Sequence, residues 1–147
     1  KRQRIYNTAV IGVDMKITLS IKDIEKQINS LQSINKKLPL RVNWAIVKNL
    51  KTLKAEHSCA EDLRIKILET YCMRDEKGNS IIENGNYRFE NDAEARTAVK
   101  QIEELNMTTA EVEICTINIA DIEKCNGSDY EALTTHDIEA LEFMIQE

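Results

Sequence analysis

The sequence predicts an α+β domain in which an antiparallel helical hairpin and further helices pack on a small, mainly antiparallel sheet. Three observations carry this expectation. One proline and four glycines in 147 residues leave few breaks, so helices should be long and loops short. Lys16 to Leu19 and Glu111 to Ile114 alternate apolar and polar residues as half-buried strands do. Between Ser80-Ile81-Ile82-Glu83 and Asn86-Tyr87-Arg88-Phe89 stands Asn84-Gly85, the pair that accepts the positive φ angles of a two-residue hairpin turn.

The first strand is expected over 16–20, with Ile17 and Leu19 facing one way and Lys16 and Thr18 the other. Met15-Lys16-Ile17-Thr18-Leu19 reads as a translation start running into that strand, which makes residues 1–14 an upstream extension and 15–147 a single domain. Ser20 with Asp23 caps a helix over about 21–35, whose inner stripe is Ile21, Ile24, Ile28 and Leu31. Pro39 opens the next helix, from Leu40 to about Met73, with the stripe Val42, Ile46, Leu50, Leu53, Ala60, Leu63, Ile67 and Tyr71. Glu56-His57-Ser58 interrupts that stripe; the absence of glycine and proline favours one continuous helix over two divided near Ser58. The short link between the two helices folds them back as a hairpin.

Asp75-Glu76-Lys77-Gly78-Asn79 forms the turn that ends the long helix. It is not a calcium loop, because glycine falls at the fourth place rather than the sixth and lysine takes a ligand position. Strands follow at 80–83 and 86–90. Asn91 with Glu94 caps a helix over about 92–106, with Ala95, Ala98, Val99, Ile102 and Leu105 inward. A strand over 110–119 carries Glu111 and Glu113 on its outer face, and its apolar phase shifts after Cys115, as at a bulge or a strand buried on both faces. Asn126 to Asp129 is a loop, and Thr134 with Asp137 caps a last helix bearing Ile138, Leu141, Met144 and Ile145.

Charge is sorted along the chain. Residues 1–56 hold twelve Lys/Arg against four Asp/Glu, residues 57–90 five against seven, and residues 91–147 three against fourteen, within a net charge of −5. Such polarity can attract the chain itself, its copies, or a partner of either sign. The basic candidates for a partner surface are Lys22, Lys26, Lys36, Lys37, Arg41, Lys48, Lys51 and Lys54; the acidic ones are Glu103, Glu104, Glu111 and Glu113. Nucleic acid is the weaker partner class, because Trp44 is the only large aromatic among the basic residues and is expected in the core.

Other chemistry finds little support. No apolar run approaches the roughly 18–20 residues of a membrane span, and Ile5 to Val13 lacks the length and cleavage site of a secretory signal. The four cysteines form no C-x-x-C pair, and reduced thiols in a cytoplasm are the default. His57 and Cys59 sit two apart, about 200° around a helix, and cannot share one zinc ion. Cys115 is expected as a small core residue. His136, exposed near a helix start, has no nucleophile beside it, so neither an enzyme nor any cofactor or metal is expected.

The chain also carries a resemblance. Met15-Lys16-Ile17-Thr18-Leu19, the helical hairpin, R-x-x-I-L-E-x-Y (Arg64 to Tyr71), D-E-x-G-N (Asp75 to Asn79), E-N-G-N-Y (Glu83 to Tyr87) and the closing Y-E-A-L-T and I-E-A-L-E-F-M-I are similar to small conserved proteins of tailed phages and prophages from Gram-positive gut bacteria. Those families supply no functional residue to carry across. The resemblance implies a non-catalytic accessory protein in the host cytoplasm that binds another protein. Two jobs fit: inhibition of a host defence nuclease, as anti-CRISPR proteins do, or virion assembly, in which the basic half of one copy meets the acidic half of the next in a homo-oligomer.

Overall fold

The computed structural model describes residues 14–146; of the expected extension, residues 1–13 lie outside that range, and Asp14 opens the first strand. The fold is α+β. Strand β1 (Asp14–Ser20) pairs antiparallel with β4 (Thr109–Cys115), running from Asp14 opposite Cys115 to Ser20 opposite Thr109. Their inner face joins Ile17 and Leu19 to Val112 and Ile114 in the main core. Lys16, Thr18, Glu111 and Glu113 stay exposed on the other face, as the alternation requires.

Helix α1 (Ile21–Gln32) follows without a loop. The Ser20 hydroxyl accepts from the Asp23 amide at 3.1 Å and satisfies one of the free N–H groups of the first turn. Ile24, Ile28 and Leu31 are buried. After a short link, helix α2 runs unbroken over Leu40–Tyr71, so the single-helix expectation holds. Pro39 occupies its N-cap, with no side-chain cap bond. Val42, Ala45, Ile46, Leu53, Ala60 and Ile67 are buried on one side, whereas Leu63 is exposed, contrary to the expected stripe.

The expected strands beyond α2 are shorter than their sequence suggests. They reduce to β2 (Ile82–Glu83) and β3 (Asn86–Tyr87), joined by Asn84 and Gly85 at φ 53° and 79°, the conformation that the Asn-Gly pair favours. Met73 knits this hairpin back to the helix end: its amide donates to the Arg88 carbonyl and its own carbonyl accepts from the Ile81 amide. In the turn before the hairpin, the Asp75 carboxylate accepts from the Lys77 and Asn79 amides, each at 2.9 Å. Gly78 there takes φ 83°, where a side chain would be strained.

Helix α3 (Asp92–Met107) is capped by Asn91, whose side chain accepts from the Glu94 amide at 3.0 Å. Ala98 and Leu105 are buried, but Val99 is exposed, because about 100° of helix rotation turns it off the contact made by Ala98. The tail corrects the sequence reading further. Strand β4 stops at Cys115, β5 is only Ile117–Asn118, and α4 (Ile119–Lys124) begins where strand was expected. A reciprocal capping box starts α4: Asp121 N–H donates to the Asn118 side chain and the Asn118 amide donates back to the Asp121 carboxylate. Helix α5 (Thr135–Leu141) has the same box between Thr134 and Asp137, then gives way to a 3-10 turn and to β6 (Ile145–Gln146), which pairs parallel with β5. The last helix therefore ends before Met144 and Ile145, and Ile138 is exposed.

Among the described residues the buried ones form two clusters. The larger unites α1, the first half of α2, β4 and the tail; the smaller unites Ala60 and Ile67 of α2 with Ala98 and Leu105 of α3. Partly buried Ile21 packs against both, which places the start of α1 beside the middle of α2 and makes the helical pair antiparallel.

Asn49 is fully buried and pins the larger cluster. Its carboxamide donates to the Cys115 carbonyl at 2.9 Å and accepts from the Cys115 amide at 2.7 Å, as a neighbouring strand residue would. A second tie joins the link before α2 to the tail. Lys36 Nζ lies 2.6 Å from the Asp137 carboxylate and donates to the Ala132 carbonyl at 2.9 Å. The Lys37 amide donates to the Glu131 carboxylate at 3.0 Å, while the Glu131 amide donates to the Lys37 carbonyl at 2.9 Å. Arg41 stands 3.6 Å from the buried Asp121 carboxylate.

Asn49→Ala removes its two hydrogen bonds with the Cys115 backbone, and a loss of about 2–4 kcal/mol is expected in urea unfolding; a loss under about 0.5 kcal/mol would show that these groups are satisfied otherwise. Asp137 supplies the second test. Burial pushes its carboxyl up, but the Lys36 ammonium and the Thr134 bonds outweigh burial and leave it below the ordinary Asp value. A depressed folded value means stability that is fully present above the unfolded value and lost as pH falls through the folded one. Lys36→Met should therefore cost about 1–3 kcal/mol at pH 7 and much less at pH 2; an equal cost at both would contradict the ion-pair account.

Candidate functional site

The eight basic residues of the expected surface fall into three groups rather than one face. Lys22 and Lys26 are exposed on the outer side of α1, about one turn apart. Lys36, Lys37 and Arg41 lie at the link and face the tail, where Lys36 and Arg41 are engaged by Asp137 and Asp121. Only Lys48, Lys51 and Lys54 present ammonium groups along an open stretch of α2. Of the acidic residues, Glu103 and Glu104 are exposed on α3, and Glu111 and Glu113 on the outer face of β4. Glu111 sits 3.8 Å from Lys16 across the β1/β4 pair.

Between the lysines of α2 is a feature that the sequence reading placed wrongly. Trp44 is not in the core: it is 44% exposed, with Leu40 at 81% and Val47 at 55%. These three residues fall within an arc of about 60° on the side of α2 opposite Val42, Ile46 and Asn49. Lys51 lies inside the same arc, and Lys48 and Lys54 lie on its two borders. The Lys48 ammonium rides 5.7 Å from the centre of the Trp44 ring, a cation–π distance that keeps the indole face outward. The signal was present in the spacing, since 40, 44 and 47 repeat at i, i+4 and i+7 outside the main stripe.

A second feature occupies the polar gap in that stripe. At Glu56-His57-Ser58 the two clusters part, leaving a cleft of about 430 Å³ lined by Ile21 and Glu25 of α1, His57, Ala60, Glu61 and Arg64 of α2, and the end of α3. Within it the Arg64 guanidinium engages the Glu61 carboxylate, which holds Glu61 below the usual carboxylate range and raises Arg64 above its own. Burial opposes both shifts, and His57 adds a smaller pull on Glu61. Among the described residues the cleft lining includes no cysteine, serine or threonine. Cys59, two residues from His57, is exposed on another side of α2, and His136 is exposed on α5.

Cys72, Cys115 and Cys125 are buried. Burial pushes the Cys115 thiol up and the Asp14 carboxylate adds to that; burial likewise raises Cys125. Raised thiols are poor nucleophiles and poor metal ligands at neutral pH. Among the described residues no group of three or more His, Cys, Asp or Glu side chains is placed to hold a metal ion, and no helix is long and apolar enough to cross a membrane.

No protein-family model, curated protein or solved structure matches this chain.

Thiol labelling checks the placement of the cysteines. Under native conditions a maleimide should modify Cys59 within minutes and leave Cys72, Cys115 and Cys125 intact until denaturant is added. Rapid native labelling of Cys115 would mean that the end of β4 opens far more readily than its contacts with Asn49 allow.

Proposed function

We propose that this chain acts without catalysis, by binding a protein partner through the outer face of α2. The observation that carries this reading is the open Leu40, Trp44 and Val47 surface with Lys48, Lys51 and Lys54 in and around it. A contiguous apolar patch with a polar margin suits an interface better than a solvated face. Tryptophan ordered by a neighbouring cation is a common energetic anchor in such interfaces. The complementary partner surface is apolar at its centre and acidic at its margin.

The resemblance to small tailed-phage and prophage proteins supports a phage or prophage accessory role in the host cytoplasm. Within that setting, inhibition of a host defence complex is the reading we adopt. Assembly through the basic half of one copy and the acidic half of the next is less well supported, because Lys36 and Arg41 pair with Asp137 and Asp121 of the same chain. The lysines left on α2 would also repel one another across a two-fold contact between copies of that face.

Co-expression in a bacterial host carrying a defence nuclease complex tests the reading. Wild-type protein should co-purify with the complex and relieve its interference. Trp44→Ala combined with Lys51→Glu should weaken both effects at least about tenfold with an unchanged circular dichroism spectrum. Light scattering should show a monomer at low and at high salt. A salt-sensitive ring or stack, or full activity of the double variant, would overturn the proposal.

A further inference from the structure

The cleft between α1, α2 and α3 is separate from the outer face of α2, and its chemistry selects a different kind of ligand. Its floor is apolar: Ile21, Ala60, Ile102 and Leu105. Its polar groups are unequally committed. Arg64 and Glu61 neutralise each other, and the guanidinium spends Nε and one terminal nitrogen on that carboxylate. Glu25 forms no ion pair within 4 Å of another described residue and acts on Arg64 only at longer range, and the side chains of His57 and Asn106 form no hydrogen bond with a described residue. The carboxylates of Glu25 and Glu61 against the single guanidinium of Arg64 leave these three groups with one negative charge.

We infer that this cleft binds an organic cation: one ammonium group carried on an apolar body, with Glu25 as its counter-ion. An ammonium offers three donors and no acceptor. The uncommitted acceptors of the lining match it: the Glu25 carboxylate and the Asn106 side-chain oxygen. An anionic ligand of the same shape would meet two carboxylates and an arginine already engaged. A volume of about 430 Å³ is within the range of small-ligand sites and exceeds what an ammonium alone would fill, so the apolar part of the ligand contributes. The same chemistry could come from a free arylalkyl amine or from a lysine side chain of a docked protein.

Three near-isosteric probes test it on the whole chain by NMR titration: 2-phenylethylammonium, 2-phenylethanol and 3-phenylpropionate. The ammonium should bind with a dissociation constant of about 1 mM and shift the methyl signals of Ile21, Ile102 and Leu105. The alcohol should bind at least about fivefold more weakly and the carboxylate weaker still. Glu25 is exposed, so its replacement leaves the fold intact. Glu25→Gln should weaken ammonium binding about fivefold to tenfold, and Glu25→Lys should invert the preference toward 3-phenylpropionate. An acetyl-lysine-amide peptide with a free ε-ammonium forms a further arm. Tighter binding of that peptide than of 2-phenylethylammonium would identify a partner's side chain as the source; the reverse would identify a free amine. Equal binding of the three probes, shifts that avoid the cleft methyls, or no shift at about 20 mM would overturn the inference. None of these outcomes depends on Trp44 or on the partner of α2.

Discussion

The rotation of α2 about its own axis is the constraint on which the rest depends, and one carboxamide sets it. Asn49 is buried in the larger cluster, where an unpaired amide would be costly, and both of its hydrogen-bonding groups meet the Cys115 peptide at the end of β4. Among the described residues that sheet has two strands, so β4 has an edge that β1 does not cover, and Asn49 satisfies it at one residue. Its donor also lies 3.4 Å from the Met144 sulfur, so helix, strand and tail converge there. A register of that kind admits one orientation of α2. Val42, Ile46 and Leu53 then point inward, Leu40, Trp44 and Val47 point outward, and one long turn later His57 and Glu61 meet α1 and α3.

Charge sorting along the sequence acquires a physical meaning from the same arrangement. The basic link after α1 lies on the acidic tail, and each of the buried carboxylates Asp121 and Asp137 works twice, closing its own helix cap and receiving a cation, Lys36 of the link for Asp137 and Arg41 of the first turn of α2 for Asp121. A short helix such as α4 or α5 has little propensity to form alone. A cap in which the carboxylate is also paired helps to hold it in place. Part of the chain's polarity is therefore spent on folding. What remains outside of the candidate residues is more scattered than the sequence suggests: Lys22 and Lys26 on α1, three lysines around a tryptophan on α2, and four glutamates spread over α3 and β4.

The long elements were legible because periodicity reports burial over many turns. The unbroken α2, the capped starts of α1, α3 and α5, the alternation in β1 and β4 and the Asn-Gly hairpin all follow from local pattern. Failures cluster where an element is too short to show a period. Ile117 to Ile119 continues the alternation of a strand, yet the Asn118 and Asp121 box turns the chain into α4. The polar gap at Glu56-His57-Ser58 was visible as a weak point of a stripe, but its conversion into a cleft needed α1 and α3 beside it. Trp44 was misplaced because a large aromatic is usually worth burying, and only the facing elements decide which of two apolar stripes on one helix is covered.

Sequence alone determined the fold class, the helix starts, the hairpin turn and the segregation of charge, since each depends on residues close together along the chain. Tertiary structure decided which lysines stay free, which apolar stripe of α2 is left outside, and which side chains share a cleft. Those outcomes depend on pairings such as Asn49 with Cys115 and Lys36 with Asp137, made across 66 and about 100 positions. No local propensity encodes a contact between segments so far apart; it exists only once the core has brought them together.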